Sequence, residues 1–478
     1  MDRDIARDPR VRLVTTPKSP LTLLARAEAV YVVESRLGFD ALLLGRPVHC
    51  FGAPFYAGWG LSRDHVTFTR RTRRLSLDQL VLGALVLYPR YLDPERLTPC
   101  EVERVVDFLA LQRARYEENA RRIFVFGVSR WKQAFLQGFL ESPGRSPIFV
   151  EDAAGARKRG FSAGDVALVW GAHPPADVEA LVASRGGELH RMEDGFLRSV
   201  RLGAELAAPA SLVIDRRGIY FDPTRESDLE HLLEHAELTP EELERAAALR
   251  RAIVAAKVSK YNVGARRTPE IPASARGRVV LVPGQVEDDA SIELGGVDVK
   301  TNLDLLREVR RARPDSFVIY KPHPDVYGGH RKGAVDHERA VSFADLVVTD
   351  LGLPECLEVA DEVHTITSLV GFEALLREKR VFAYGLPFYA GWGLTVDRHR
   401  LPRRTRRRTL DELVACTLLR YPRYRSEKTG AFASPEHILE ELERARLASP
   451  DAAVVRFGAF SRVLRKLANL FETLRHAR

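Results

Sequence analysis

The stretch RVVLVPGQVEDDAS, Arg278–Ser291, carries a fold signal in its first half and a chemical one in its second. An apolar, valine-rich run closes on a proline–glycine turn, and three adjacent acids follow, Glu287, Asp288 and Asp289. A short apolar run bounded by turn residues reads as a buried strand of a parallel sheet. The same signature recurs toward the C-terminus in FVIYKPHPD (Phe317–Asp325), DLVVTD (Asp345–Asp350), VHTIT (Val363–Thr367) and RVFAYG (Arg380–Gly385). Toward the N-terminus it recurs in IFVFG (Ile123–Gly127), PIFVED (Pro147–Asp152), VALVWG (Val166–Gly171) and SLVID (Ser211–Asp215). Helical patterns lie between these runs, including a charged stretch from about Asp228 to Lys257. The alternation predicts an α/β fold of two doubly wound, Rossmann-like domains facing a cleft. The proline- and arginine-containing ARRTPEIPASAR (Ala265–Arg276) reads as their linker. Ligands of such folds lie outside the carboxyl ends of the strands.

One octapeptide occurs twice, PFYAGWGL at Pro54–Leu61 and Pro387–Leu394. Adding 333 to the first numbers aligns much more without a gap. Ser35, Gly38 and Phe39 fall on Ser368, Gly371 and Phe372, and Arg70–Arg74 (RRTRR) falls on Arg403–Arg407. Tyr88–Tyr91 (YPRY) falls on Tyr421–Tyr424, and LVTT at Leu13–Thr16 answers to LVVT at Leu346–Thr349. So long a period means duplicated modules, since solenoid repeats run at about 20–50 residues. The chain therefore reads as the tail of one module followed by a complete one, roughly Arg121 to Glu427. The expected divisions are 1–118, a truncated first module; 119–268 and 269–427, the two Rossmann-like domains; and 428–478, a helical tail.

Composition bounds the function. With 45% hydrophobic and 29% charged residues, the chain is typical of globular proteins. No run approaches the about 18 apolar residues of a membrane span. Met1 opens on MDRDIARDPR, which has no apolar signal-peptide core. Cys50, Cys100, Cys356 and Cys416 are far apart, which disfavours a zinc or disulfide scaffold and fits a reducing cytoplasm. The net charge of +8 fits an anionic partner: nucleic acid, anionic lipid, or acidic sugars and phosphates. No recognition motif or interleaved aromatic pattern supports nucleic acid.

Four strand-end loops carry candidate chemistry. MEDGFLRS (Met192–Ser199) pairs Glu193 with Asp194 before a glycine, and adjacent carboxyls can have their pKa values driven apart for acid/base work. An isolated E-D-G is otherwise a solvated turn. Arg198 would pair with either carboxylate or with an anionic substrate. PGQVEDDAS (Pro283–Ser291) offers a nucleophilic carboxylate or oxygen ligands for Mg²⁺, with Gln285 as a hydrogen-bond donor, against the alternative of a bland acidic loop. YKPHPD (Tyr320–Asp325) stiffens Lys321 and His323 with two prolines, a setting suited to holding phosphate. In TITSLVGFEALL (Thr365–Leu376), Thr367 or Ser368 caps a helix, and Glu373 sits one turn in, within reach of ribose hydroxyls; an ordinary capped helix would read the same. PFYAGWGL itself reads as packing, and RRTRRRTL (Arg403–Leu410) as a phosphate holder or a solvated helix start.

Taken in order, EDGFLRS, QVEDDAS, KPHPD, TSLVGFEALL and PFYAGWGL resemble the KpsC-type capsule polysaccharide β-Kdo transferases, which carry two tandem modules. The resemblance implies a GT-B-like fold and a retaining transferase with CMP-β-Kdo as donor and Kdo-extended phosphatidylglycerol as acceptor. It implies a β-(2→7) linkage and double displacement through a covalent Kdo–aspartyl adduct. It makes Asp289 the nucleophile position, with Asp288 as the fallback, and Glu193 or Asp194 the acid/base. Lys321 and His323, with Ser368, would hold the CMP phosphate, and Glu373 the cytidine ribose. Departing CMP carries its own phosphate, so positive groups would stabilise it, and no metal or other cofactor is expected. The first module keeps SRLGFDALL and PFYAGWGL but lacks EDGF, EDDAS and KPHP counterparts, so it is expected not to catalyse. A separate chain is a candidate to complete it.

The tail VVRFGAFSRVLRKLANLFETLRHAR (Val454–Arg478) places Phe457, Phe460, Val463, Leu464, Leu467, Phe471 and Leu474 at helical spacing among basic residues. Such a helix lies in an anionic membrane surface or docks on its own protein. With a lipid acceptor implied, the expectation is a cytoplasmic protein peripheral on the inner face of the inner membrane, working with capsule synthesis and export proteins. The rival class is a non-catalytic polysaccharide-binding component of the same machinery.

Overall fold

Every apolar run singled out in the complete module forms a strand, and so does part of the duplicated segment ahead of it. The computed structural model describes residues 8–16, 19–199, 207–260, 262, 264–275, 277–327 and 331–448. They divide into two units, Met1–Phe108 and Leu109–Arg478. The expected amphipathic tail helix lies outside the described residues.

The first unit holds a parallel sheet of β1 (Val30–Val32), β2 (Val48–Cys50) and β3 (Arg63–Asp64), in that order, and a two-stranded ladder of β4 (Tyr91–Leu92) and β5 (Pro99–Cys100). Its core gathers Phe39, Leu42, Val48, Tyr56 and Leu80.

The second unit holds two six-stranded sheets. The first begins with β6 (Ile123–Phe126), β7 (Ile148–Val150), β8 (Val166–Trp170), β9 (Glu188–Asp194) and β10 (Ser211–Asp215). β6 to β9 are parallel, and β10 runs antiparallel to β9 with Val213 opposite Glu193. The second comprises β11 (Val279–Pro283), β12 (Phe317–Lys321), β13 (Leu346–Val347), β14 (Glu362–Thr365), β15 (Arg380–Ala383) and β16 (Val396–Asp397), all parallel, in the order β13-β12-β11-β14-β15-β16. The chain then returns to the first sheet, where β17 (Pro422–Tyr424) pairs antiparallel with β10. This is the α/β, GT-B-like arrangement expected from the sequence, with an antiparallel margin on one sheet.

The charged stretch after β10 is two helices, Asp228–His235 and Pro240–Ala255, rather than one. Thr239 caps the second through a reciprocal pair with Glu242, and Pro240 occupies its first turn, where a missing N–H costs nothing.

The two copies of PFYAGWGL close the same loop twice. The Tyr389 hydroxyl donates to the Ser368 carbonyl at 2.6 Å, and Tyr56 to Ser35 at 2.5 Å. A Cβ on Gly371 or Gly38 would overlap that hydroxyl, which is why glycine stands there. Trp392 donates to the Phe388 carbonyl and Trp59 to Phe55, each at 2.8 Å. Gly391 and Gly58 have φ of 91° and 81°, and each gives its N–H to an aspartate, Asp397 or Asp64. Arg404 reaches the carbonyls of Pro387 and Ala390, and Arg71 those of Pro54 and Ala57. The basic segment does start a helix, Leu410–Val414 capped by Thr409, but several of its arginines are tied into the protein rather than solvated. Arg404 and Arg403 both pair with Glu230, and Arg408 donates to the carbonyls of Leu233 and Ala236.

The copies differ in what covers them. Phe388 is 6% exposed against 48% for Phe55, and Tyr421 7% against 88% for Tyr88. Most large apolar side chains exposed among the described residues belong to the first unit. β14 pairs with β11 on one side and β15 on the other, whereas its counterpart β1 is an edge strand paired with β2.

Candidate functional site

The strand ends of the second unit converge on a cavity of about 370 Å³, within the usual range for small-molecule sites. Its wall includes Glu193 and Asp194 from the end of β9, Pro283–Gln285 and Asp289 after β11, Lys321–Asp325 after β12, and Thr367, Ser368 and Glu373 after β14. The cavity thus lies outside carboxyl ends of strands in both sheets, as the sheet topology requires.

The E-D-G pair is not a solvated turn. Gly195 gives its N–H to the Ser211 carbonyl at 2.9 Å, and a Cβ there would overlap the Ser211 hydroxyl, so β10 holds the pair in place. Asp194 is ion-paired with Arg198 at 2.5 Å. Among the described residues Glu193 has no such partner: burial first, then the Asp194 charge, push its pKa up to about 7. Its Oε1 accepts the Asp194 N–H at 2.9 Å. Of the two carboxyls left open by the sequence, Glu193 is the one poised to take up a proton near neutrality.

Of the two roles left open for Arg198, the structure shows the pairing with a carboxylate and not the one with a ligand. Read as a substrate ligand, it is 2% exposed and absent from the cavity wall. Its guanidinium donates to Asp194, to the Ser199 hydroxyl at 2.8 Å and to the Ala207 carbonyl at 3.1 Å. It positions Asp194 instead of binding a ligand.

The three acids after β11 diverge. Glu287 accepts the Asn302 N–H at 2.8 Å. Asp288, the fallback nucleophile, is exposed, pairs with Arg331 at 3.2 Å and lies off the cavity wall. Only Asp289 lines the cavity, where it caps the helix Ala290–Gly295 and accepts the Ser291 N–H at 3.0 Å. Chain direction explains the split, because the turn into a helix sends neighbouring side chains apart.

Gln285 also lines the cavity, but its amide ties strand ends together. Nε2 donates to the Thr367 hydroxyl at 3.0 Å, and Oε1 accepts the Thr367 N–H at 3.0 Å and the Thr365 hydroxyl at 3.3 Å. Ser368 caps the helix Leu369–Leu376, accepting the Val370 N–H. Lys321 is buried, its Nζ 2.6 Å from the Leu351 carbonyl, and burial pulls its pKa down. His323 accepts the Asp325 N–H on Nδ1 at 3.1 Å, which leaves Nε2 as the donor of the neutral ring. Burial lowers its pKa, opposed by the charges of Asp325 and Asp289. Glu373 is buried with Oε1 accepting the Lys260 N–H at 2.8 Å, while Oε2 has no partner among the described residues. Burial raises its pKa against the pull of Arg377 and Lys260.

Several wall residues escaped the sequence reading. Tyr220 and Phe221 come from the loop after β10, and Ser259 and Lys260 from the segment after the helix Pro240–Ala255. Burial pushes the Tyr220 hydroxyl pKa far up; Lys260 opposes this, and Glu193, Asp194 and Asp289 add to it, so this one ring feels both acidic loops. Lys132, off the wall, stacks 3.4 Å from the Trp170 ring centre and acts electrostatically on Glu193. The acids at 287–289 do not assemble as a ligand set; among the described residues, the one group of three metal-ligating side chains is Glu226, His231 and His235, off the cavity wall.

A model of the family described as capsule polysaccharide biosynthesis protein matches residues 6–91 and 165–424. The chain belongs to this family. Its match covers the cavity-bearing module from residue 165 on and most of the duplicated tail. The chain is 39% identical over 482 residues to the capsule polysaccharide modification protein LipA of Neisseria meningitidis serogroup B, covering 98% of this chain and 67% of that protein. It is 48% identical over 258 residues to the lipopolysaccharide-processing protein LpsZ of Rhizobium meliloti, covering 53% of this chain and 58% of LpsZ. The chain thus spans about two thirds of the length of LipA. Two solved structures from Thermosulfurimonas dismutans are similar at 33% identity. The KpsC β-Kdo 2,7 transferase aligns with a TM-score of 0.55, covering 68% of this chain and 100% of the other. The KpsC β-Kdo 2,4 transferase aligns at 0.57, covering 67% and 97%.

Proposed function

We propose that the chain is a retaining β-Kdo transferase of capsule synthesis. It moves Kdo from CMP-β-Kdo to a Kdo-bearing phosphatidylglycerol acceptor at the inner face of the inner membrane. The observation that carries the reading is the pair of unlike carboxyls on one cavity wall. Glu193 has its pKa raised to about 7, and Asp289 is held by the Ser291 N–H. Likeness to the two Kdo transferases and membership of the capsule family support this choice of substrate class.

In the first step an Asp289 oxygen attacks the anomeric carbon of Kdo, the bond from that carbon to the CMP phosphate oxygen breaks, and CMP leaves with the electron pair. The His323 Nε2–H and the Lys321 amine face the departing phosphate, and charge-assisted donors of this kind are worth most in a partly dry site. Glu373 takes the ribose hydroxyls on its unpartnered Oε2. In the second step Glu193 accepts the proton of the acceptor hydroxyl, whose oxygen attacks the same carbon and releases Asp289. Two inversions retain configuration. A base with a pKa near the working pH suits this step.

The test incubates purified protein with CMP-β-Kdo and a synthetic acceptor ending in β-Kdo, and weighs protein and product by mass spectrometry. Wild type should give product and a Kdo adduct on the protein, and Asp289→Ala neither. Linkage analysis should find the β-(2→7) bond. Folded protein that releases no CMP and forms no product with any of several such acceptors refutes the reading.

A further inference from the structure

Away from the cavity, the helix Asp228–His235 sets His231 and His235 one turn apart, and Glu226 stands just before its Ser227 cap. One ligand atom from each of the three lies within 4.8 Å of the other two. Glu226 Oε1 is 3.3 Å from His231 Nδ1, and the two imidazole centres are 4.6 Å apart. We propose that Glu226, His231 and His235 form a binding site for a divalent transition metal of the Zn²⁺ class.

The ligand chemistry fits. Two imidazoles and one carboxylate are borderline donors that suit Zn²⁺ better than Mg²⁺ or Ca²⁺, which prefer oxygen alone. Side chains at i and i+4 share one helix face, so the histidines converge without distorting the backbone. Around a tetrahedral Zn²⁺ the ligand atoms stand about 3.4 Å apart, as bond lengths of about 2.1 Å require. Closing the cluster to that spacing takes about an ångström of side-chain movement. His235 is exposed and turns without disturbing the core. The two oxygens of Glu226 are already divided: Oε2 faces Arg217 Nε at 3.4 Å, and Oε1 faces His231. Arg217 is in turn paired with Asp228 at 2.5 Å, so its charge does not stand uncompensated beside a cation. Water would complete the coordination on the open side.

The location gives the site a consequence. Glu226 ends the loop that carries Tyr220 and Phe221 on the cavity wall. A metal joining Glu226 to the helix fastens that loop at its far end.

The experiment titrates untagged full-length protein, stripped of metal, with ZnCl₂ by calorimetry at neutral pH, and repeats it with CoCl₂ followed by visible absorption. One equivalent should bind, with Co²⁺ giving the d–d bands of a tetrahedral site with nitrogen and oxygen ligands. His231→Ala and His235→Ala should each weaken binding at least about tenfold, and Glu226→Gln should also weaken it. Both histidines are partly or fully solvent-facing, so the variants should keep wild-type circular dichroism; His235→Ala, at the exposed position, serves as the deciding variant should His231→Ala fail to fold. Absence of binding overturns the proposal. So does binding that survives His235→Ala unchanged, or a Co²⁺ spectrum dominated by thiolate charge transfer, which would place the ion on a cysteine.

Discussion

Replacing Glu193 by glutamine should remove a pH-dependent loss of stability while it disables the reaction. In the folded chain the carboxyl is pushed from its ordinary 4.5 to about 7, chiefly by burial. A group with a raised pKa leaves its full stability below the unfolded value and loses it as pH rises toward the folded value. Wild type should therefore lose about 3 kcal/mol between pH 4.5 and pH 8 from this residue alone, at about 1.36 kcal/mol per tenfold change in proton affinity. Glutamine does not titrate, so Glu193→Gln should not show that loss. Any constant cost of the new amide cancels when the variant-minus-wild-type difference at pH 8 is compared with that at pH 4.5. Urea unfolding of both proteins at both pH values measures this double difference. The same variant, given CMP-β-Kdo, should still form the adduct on Asp289 but transfer it at least about 100-fold more slowly, the usual contribution of a general base. A stability difference equal at the two pH values would refute the reasoning, because Glu193 would then ionise as an ordinary surface carboxyl.

Glu373→Gln should raise the KM for CMP-β-Kdo several-fold with a smaller change in kcat, as removal of a uniform binding contact does. Arg404→Met removes the buried partner of Glu230 and two loop-closing bonds; unfolding experiments should find a loss of about 3 kcal/mol or more. Tyr389→Phe leaves the Ser368 carbonyl without its hydroxyl donor and should cost about 1–2 kcal/mol by the same measurement. Deleting Ala452–Arg478 should release the protein from sedimenting vesicles that contain anionic lipid. A truncated protein that still sediments with them ends the anchor idea.

Much of this was legible in the residues because strands and their terminal loops are written locally. SLVID is β10 to the residue, and Asp289, His323 and Glu373 all follow strands whose apolar runs announce them. β17 was not legible: it has three residues, one of them a proline, and only its partner β10 makes it a strand. Tyr220 and Lys260 follow elements whose periodicity has already ended, so nothing local marks them as wall residues. The roles of Arg198 and of the arginines of RRTRRRTL were left open for one reason. A sequence shows that a guanidinium is present, but tertiary packing decides whether it meets a carboxylate, a row of carbonyls or solvent.

The doubled octapeptide amounts to a controlled comparison inside a single polypeptide. Tyr56 and Tyr389 are equally inaccessible, and the hydroxyl, indole and guanidinium bonds of the loop recur in both copies. Phe55 and Phe388 both pack on the phenylalanine of the preceding helix, Phe39 or Phe372, yet differ in their other surroundings, with Phe388 also seated against Phe196 and Tyr220. The loop is therefore self-sufficient in its polar bonds, while the burial of its phenylalanine and its tryptophan depends on what surrounds it. A segment built this way keeps its polar frame in two different surroundings, which is how the same eight letters serve in both copies.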